Sequence, residues 1–412
     1  MDEAPTIVLE NARIFDGVGP ELADGHVLVA DGLIEEVSAQ PVKAAGAQRI
    51  DLKGRTLMPG LIDAHWHVMS SALDFAKVDG QPVSLRSQHA RIYLEDALNR
   101  GFTSIRDAGG CDAGMALAVE YGLIKGPRIF FPGPALSQTG GHADMRPRFS
   151  PLLDCPCGGY SGSLGKVADG PHALRAAIRE EMRKGATHVK IMASGGVASP
   201  TDPLENMQYS DEEVRAAVDE ASLHGTYVMA HSHPDKAIRR CAELGIRSIE
   251  HGTLIGKETA AIVAARGAYV VPTLVIVFCL DEFGPGFGFP KVSLDKLAKI
   301  KGPAVDSLAV MQAAGVKIGF GTDLLGDLHE HQSREFRIRR EVLSPVEILR
   351  SATSVNAEMM MRKDQLGVVK AGAVADLIVV DGDPLKDIGL LEGQGERLSV
   401  IMKDGRLHRN RL

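Results

Sequence analysis

Between residues 57 and 323 short apolar runs recur, each followed by a stretch with helical spacing. A strand covered on both faces reads as a continuous apolar run, whereas the helix that covers it is apolar on one side only, so the alternation predicts parallel strands with crossover helices. Eight runs predict eight strands: TLMPGLIDAH (56–65), TSIRDAG (103–109), RIFFPG (128–133), HVKIMASGG (188–196), YVMAHS (227–232), SIEHG (248–252), YVVPTL (269–274) and KIGFGTD (317–323). The intervening SDEEVRAAVDEASLHG (210–225) reads as a helix, with Ser210 as its amino-terminal cap, acids in its first turn and Gly225 at its stop. Eight βα units suit a closed (β/α)8 barrel, a TIM barrel of the α/β class, although eight strands also fit an open sheet until the chemistry is weighed.

The chain ends follow a different rhythm. TIVLENARIFDG and GHVLVADGLIEEV before the barrel, and AVADLIVVDGDP and SVIMKDGRL after it, alternate with period two and turn at Asp-Gly pairs. They predict a small β-sandwich assembled from residues 1–56 and 365–412, around a barrel spanning 57–364. Residues 275–316 form a long excursion before the eighth strand, rich in Gly and Pro at GPGFGFP (284–290), and are a candidate lid or oligomer contact. No internal repeat or low-complexity tract interrupts this plan.

Of the 412 residues 44% are hydrophobic and 24% charged, which allows one large core and a satellite layer. The net charge of −7, without a dense Lys/Arg cluster, argues against nucleic acid as a partner and leaves a small neutral or anionic substrate open. No basic segment followed by an apolar one opens the chain, and no apolar run reaches eighteen residues, so a soluble cytoplasmic protein without membrane contact is expected. Five cysteines in a chain this long do not suggest a disulfide framework; Cys155 and Cys157 are read as free thiols in a turn.

His65 and His67 flank one residue at the carboxyl end of the first run, so a strand points both imidazoles the same way, able to share a metal. His329 and His331 have the same spacing but end no strand, and read as a polar loop. Lys190, His231, His251 and Asp323 end the fourth, fifth, sixth and eighth runs. In a barrel those ends converge on one face, which gathers four His, one Asp and one Lys. A buried lysine in HVKIM is costly as a cation, whereas carboxylation by carbon dioxide makes it an anionic carbamate with two oxygens for two metals. His142, in the TGGHAD loop, is the candidate to orient a substrate carbonyl or carboxylate. His233, two residues beyond a ligand, and Ser194, Gly195 and Gly196, with their backbone N–H groups, are further candidate substrate contacts. Asp107 reads as a structural hydrogen-bonding residue.

PGLIDAHWH, the lysine of the fourth run, the two later histidines and GTD occur in the order found in the amidohydrolase superfamily, and the chain resembles its binuclear, carboxylated-lysine subtype over essentially its whole length. ALSQTGGHAD (135–144), KIMASGGVASPTDP (190–203), YVVPTL and GFGTDLLG are similar to the branch of prolidase-like dipeptidases acting on Xaa-Pro, Xaa-Lys or Xaa-Arg, and to hydrolases of ochratoxin. His233 departs from that branch, where a tyrosine stands. The resemblance implies two divalent cations, with zinc the best match to this donor set and manganese or cobalt as alternatives. It also implies a hydroxide bridging the metals as nucleophile, Asp323 as general base and then acid, and a homo-oligomer, often an octamer. A lactonase, a cyclic-amide hydrolase, a deaminase or a non-catalytic barrel are the competing readings; the lysine argues against a deaminase, and the complete ligand set against a non-catalytic protein.

Overall fold

The computed structural model describes residues 5–146, 164–199 and 202–412. Both chain ends contribute to one sheet, in the order Arg406–Asn410, Leu398–Lys403, Leu377–Val380, Thr56–Pro59, Ile7–Ile14, Ala23–Ala30 and Leu33–Ser38, with Gln48–Asp51 paired alongside Ile7–Ile14. Period-two alternation explains how this sheet serves two cores. Ile7, Leu9, Val27, Val29, Leu377 and Val379 pack together on one side, whereas Met58, Ile378, Leu398 and Ile401 join the core shared with the barrel.

The barrel strands are parallel and fall into two hydrogen-bonded runs. Leu61–Trp66, Phe102–Asp107 and Arg128–Phe130 form the first. The second runs Gly165–Val167, Ala135–Ser137, Val189–Met192, Val228–Pro234, Ser248–Leu254, Tyr269–Val271 and Lys317–Ile318. Single backbone bonds bridge the gaps: Thr187 N to Phe131 O at 2.8 Å, Ala64 N to Phe320 O at 2.9 Å and Asp323 N to His65 O at 2.7 Å. The α/β barrel with a sheet from both termini is therefore the architecture, although its ladder is not continuous.

Three local features differ from the sequence expectation. The run 56–65 breaks at Gly60: Thr56–Pro59 pairs with Leu377–Val380 in the terminal sheet, and Leu61–Trp66 opens the barrel. A Cβ on Gly60 would lie 2.2 Å from Thr103 Oγ1, so only glycine allows the chain to pass between the two layers there. The eighth strand is short, ending at Ile318, and an irregular segment carries the chain on to Asp323. The excursion 275–316 is mostly helical, in Leu274–Phe283 and Lys291–Ala313, and Val275, Leu280, Leu297 and Ile300 bury it against the main core. The helix Asp211–Leu223 has a capping box in which Ser210 and Glu213 satisfy each other's backbone N–H. No helix among the described residues is long and apolar enough to cross a membrane.

Candidate metal centre

A pocket at the carboxyl ends of the barrel strands encloses, with its open mouth, about 740 Å³. His65, His67, Lys190, His231, His251 and Asp323 all line it, together with His142 and His233. Two-residue spacing puts His65 and His67 on the same side of their strand, while Trp66 between them turns into the apolar core. Ile276, Val277, Leu280, Leu297 and Ile300, from the two helices of the excursion, and Phe289 from the segment between them form an apolar wall beside this polar floor.

The floor divides into two clusters. In the first, one ligand-type atom each from His65, His67 and Asp323 lies within 4.8 Å of the others. Asp323 Oδ1 is 3.3 Å from His65 Nε2 and 3.1 Å from His67 Nε2. The opposite ring nitrogens are held from behind: His65 Nδ1 is 2.6 Å from Glu250 Oε2, and His67 Nδ1 is 3.0 Å from Gly109 O. Glu250 is fully buried beside Arg106, whose Nη2 donates to its Oε1 at 3.0 Å. Burial alone would raise the Glu250 pKa, but Arg106 and His65 outweigh it and hold the carboxyl down to about 2. Burial opposes ionisation of Asp323 as well, and the surrounding histidines hold it well below the usual carboxylate range. Asp63 ties the cluster together, since Oδ1 accepts from the backbone of His65 and of Thr322, and Oδ2 from Thr322 Oγ1.

In the second cluster His231, His233 and His251 offer nitrogens within 4.8 Å of one another. His251 Nδ1 is 2.8 Å from Thr273 Oγ1, and His233 Nδ1 is 2.8 Å from Thr253 Oγ1. Burial, reinforced by neighbouring histidines, holds His231 and His251 well below the ordinary histidine pKa and brings His233 down to about 3. Neutral imidazole is the form that ligates a metal. His251, Thr273 and Asp323 have φ of 71°, 48° and 57°, in the left-handed region that costs a non-glycine residue about 1–3 kcal/mol. Such conformations persist because the surroundings over-determine them.

Lys190 is buried in the strand Val189–Met192, which pairs with the strand of His231, and burial brings its ammonium down to about 8 against the pull of Glu250 and Asp323. A free amine is therefore accessible near neutral pH, as carboxylation requires. This donor set, of imidazoles, one carboxylate and one lysine, suits divalent cations of the zinc type.

His142 stacks on His231 with ring centroids 4.3 Å apart. Its Nδ1 is 2.8 Å from Ser199 Oγ and 3.4 Å from Asp202 Oδ2. Lys296, from the wall helix, donates to the carbonyls of Gly196, Ser199 and Asp202 at 2.9, 2.6 and 2.5 Å, which anchors this loop.

Several expectations need correction. Ser194, Gly195 and Gly196 lie behind the pocket lining. Gly195 N donates to Asn206 O at 2.9 Å and Gly196 N to Asp202 Oδ2 at 3.2 Å, so these two N–H groups are occupied internally, and Ser194 Oγ donates to Gly195 O at 2.9 Å. Gly196 is nevertheless required, because a Cβ there would lie 2.3 Å from His142 Nε2. His329 is not in a polar loop: it is buried against Trp66 and Tyr93, and Trp66 Nε1 donates to its Nδ1. Asp107 accepts backbone bonds from Val68, Gly109 and Cys111, a structural role. Cys155 and Cys157 lie outside the described residues; Cys111, Cys241 and Cys279 are free and buried.

Sequence reasoning missed Glu250, Arg106, Thr253, Thr273 and Lys296. A signal existed for the first two: opposite charges inside otherwise apolar barrel runs, SIEHG and TSIRD, require each other's company.

A parallel barrel with histidine, aspartate and lysine at its strand ends defines a class, and the chain belongs to it: residues 56–407 match the amidohydrolase family. It is a hydrolase acting on C–N bonds, in a family that is generally dependent on two metal ions. Among curated relatives, ochratoxinase of Aspergillus niger is 30% identical over 98% of this chain and 87% of its own. A prolidase crystallised with N-methylphosphonate-L-proline is 48% identical with a TM-score of 0.95, covering 98% of this chain and 100% of that one. A Xaa-Pro dipeptidase with methionine in its active site is 29% identical with a TM-score of 0.86, over 98% of this chain and 100% of that one.

Proposed function

We propose that this chain hydrolyses an amide bond next to a free carboxylate, as in Xaa-Pro and other dipeptides, N-acyl amino acids or ochratoxin-type amides, using two divalent cations, with zinc the best fit. His65, His67 and Asp323 would hold one cation and His231 and His251 the other, and Lys190, as a carbamate, would add anionic oxygen donors. Bound cations supply Lewis acidity and bring the pKa of water from about 15.7 toward about 7. The observation that carries the reading is the pair of ligand-type clusters in one pocket whose lining also includes the buried Lys190.

The chain's own residues do the rest. Asp323 Oδ1 faces His65 and His67, which leaves Oδ2 to take a proton during attack and return it to the leaving nitrogen. His142, its Nδ1 occupied by Ser199, presents Nε2 to the substrate carbonyl or carboxylate. The wall of Ile276, Leu280 and Leu297 takes an apolar portion of the substrate and excludes water.

The test compares kcat/KM for an Xaa-Pro or N-acyl-Phe substrate with that for its carboxyl amide. A site that reads the carboxylate loses roughly 10²-fold or more on the amide, because the groups that met it are left unpaired. His142→Ala shrinks that gap. Equal rates for the two forms, or faster cleavage of a lactone without a carboxylate, would overturn the proposed substrate class and favour a lactonase.

A further inference from the structure

We infer that His233 is a ligand of the second cation, completing with His231 and His251 a three-histidine site that retains its ion even when Lys190 is removed. The inference rests on the metal-dependent reading above and deepens it.

His231 and His233 are two residues apart in Val228–Pro234, so both imidazoles leave the same side. The neighbouring strand pairs in parallel, with Ser232 opposite His251, which sets the third ring across from the gap between the first two. The ring centroids are 4.8 Å apart for His231 and His233, 4.5 Å for His231 and His251, and 4.7 Å for His233 and His251.

The hydrogen bonds then assign the nitrogens. One nitrogen of each ring is engaged away from the cluster centre: His231 Nε2 at 3.2 Å from Gly195 O, His233 Nδ1 at Thr253 Oγ1 and His251 Nδ1 at Thr273 Oγ1. A neutral imidazole that donates through one nitrogen keeps a lone pair on the other. One ligand-type nitrogen from each of the three rings lies within 4.8 Å of the others. Lone pairs gathered in a buried space repel unless a cation or a donor lies between them, and a divalent cation meets all three at once. His233 and His251 share one anchoring scheme, a threonine hydroxyl behind the ring, of the kind that fixes the orientation of a metal-bound histidine. His233 is also only 4% exposed, which suits a ligand on the floor better than a side chain reaching into the mouth.

The test is metal binding, read apart from turnover. Metal-depleted wild type, His233→Ala, Lys190→Ala and the double variant are titrated with Zn(II) against a competing chelator, and metal per chain is counted after gel filtration. Lys190→Ala is expected to keep the second ion and the double variant to lose it, while His233→Ala alone weakens it by about 10-fold or more. His233→Gln, with circular dichroism and the fluorescence of the single Trp66, covers the case in which the alanine variant does not fold. Second-ion affinity within twofold of wild type in His233→Ala or His233→Gln would overturn the inference and leave the two-metal reading intact. A wild type that binds no zinc would overturn both.

Discussion

The two clusters on the pocket floor are built from nearly the same side chains and anchored in opposite ways. Behind His65 stands a buried carboxylate, Glu250, itself paired with the buried Arg106, and Asp323 adds an anion to the ligand set. Behind His233 and His251 stand two threonine hydroxyls, and the cluster contains no carboxylate of its own. Charged anchors in a dry interior are strong, yet each depends on its partner, since a lone buried charge is far costlier than a lone hydroxyl. The first cluster should therefore be rigid and brittle, and the second more tolerant.

Four substitutions sharpen or break that contrast. Asp323→Asn removes the anion and the proton carrier together, and kcat should fall by about 10²–10⁴-fold; steady-state kinetics showing a loss below tenfold would place the base elsewhere. Glu250→Gln leaves Arg106 buried without its counter-charge, and denaturant unfolding should report a destabilisation of about 3–5 kcal/mol. Thr273→Val removes one neutral hydrogen bond behind His251 and should cost only about 1 kcal/mol in the same assay. A greater loss in Thr273→Val than in Glu250→Gln would reverse the contrast. Ser210→Ala, in a helix cap outside the pocket lining, should cost up to about 1 kcal/mol in stability with unchanged kcat.

The barrel and the amidohydrolase family were legible in the chain because both rest on period and order. Apolar runs marked the strands, and histidines, a lysine and an aspartate at their ends marked the face where they meet. The parts that escaped depend on contacts between residues remote in sequence. An acid inside the apolar run SIEHG asks for a cation such as Arg106, but nothing local says that Glu250 also reaches His65, 185 positions away. Gly60 looked like the interior of one strand because the clash that demands a glycine comes from Thr103, on another strand. The excursion beginning at residue 275 read as a candidate lid or oligomer contact because GPGFGFP stood out in it, whereas the helices on either side are held by burial against the main core. Gly195 and Gly196 looked like free donors because their acceptors, Asn206 and Asp202, lie further along the same loop.

The central claim is that hydrolysis at this pocket depends on two metal ions. Its most direct test is reconstitution: metal-depleted protein receives zinc in measured equivalents while cleavage of an Xaa-Pro dipeptide is followed. The rate is expected to be negligible without metal and to level off at about two equivalents per chain, because binding to the ligand set and acquisition of activity are then the same event. Full activity in the metal-free protein would contradict the claim, as would a rate that saturates at one equivalent.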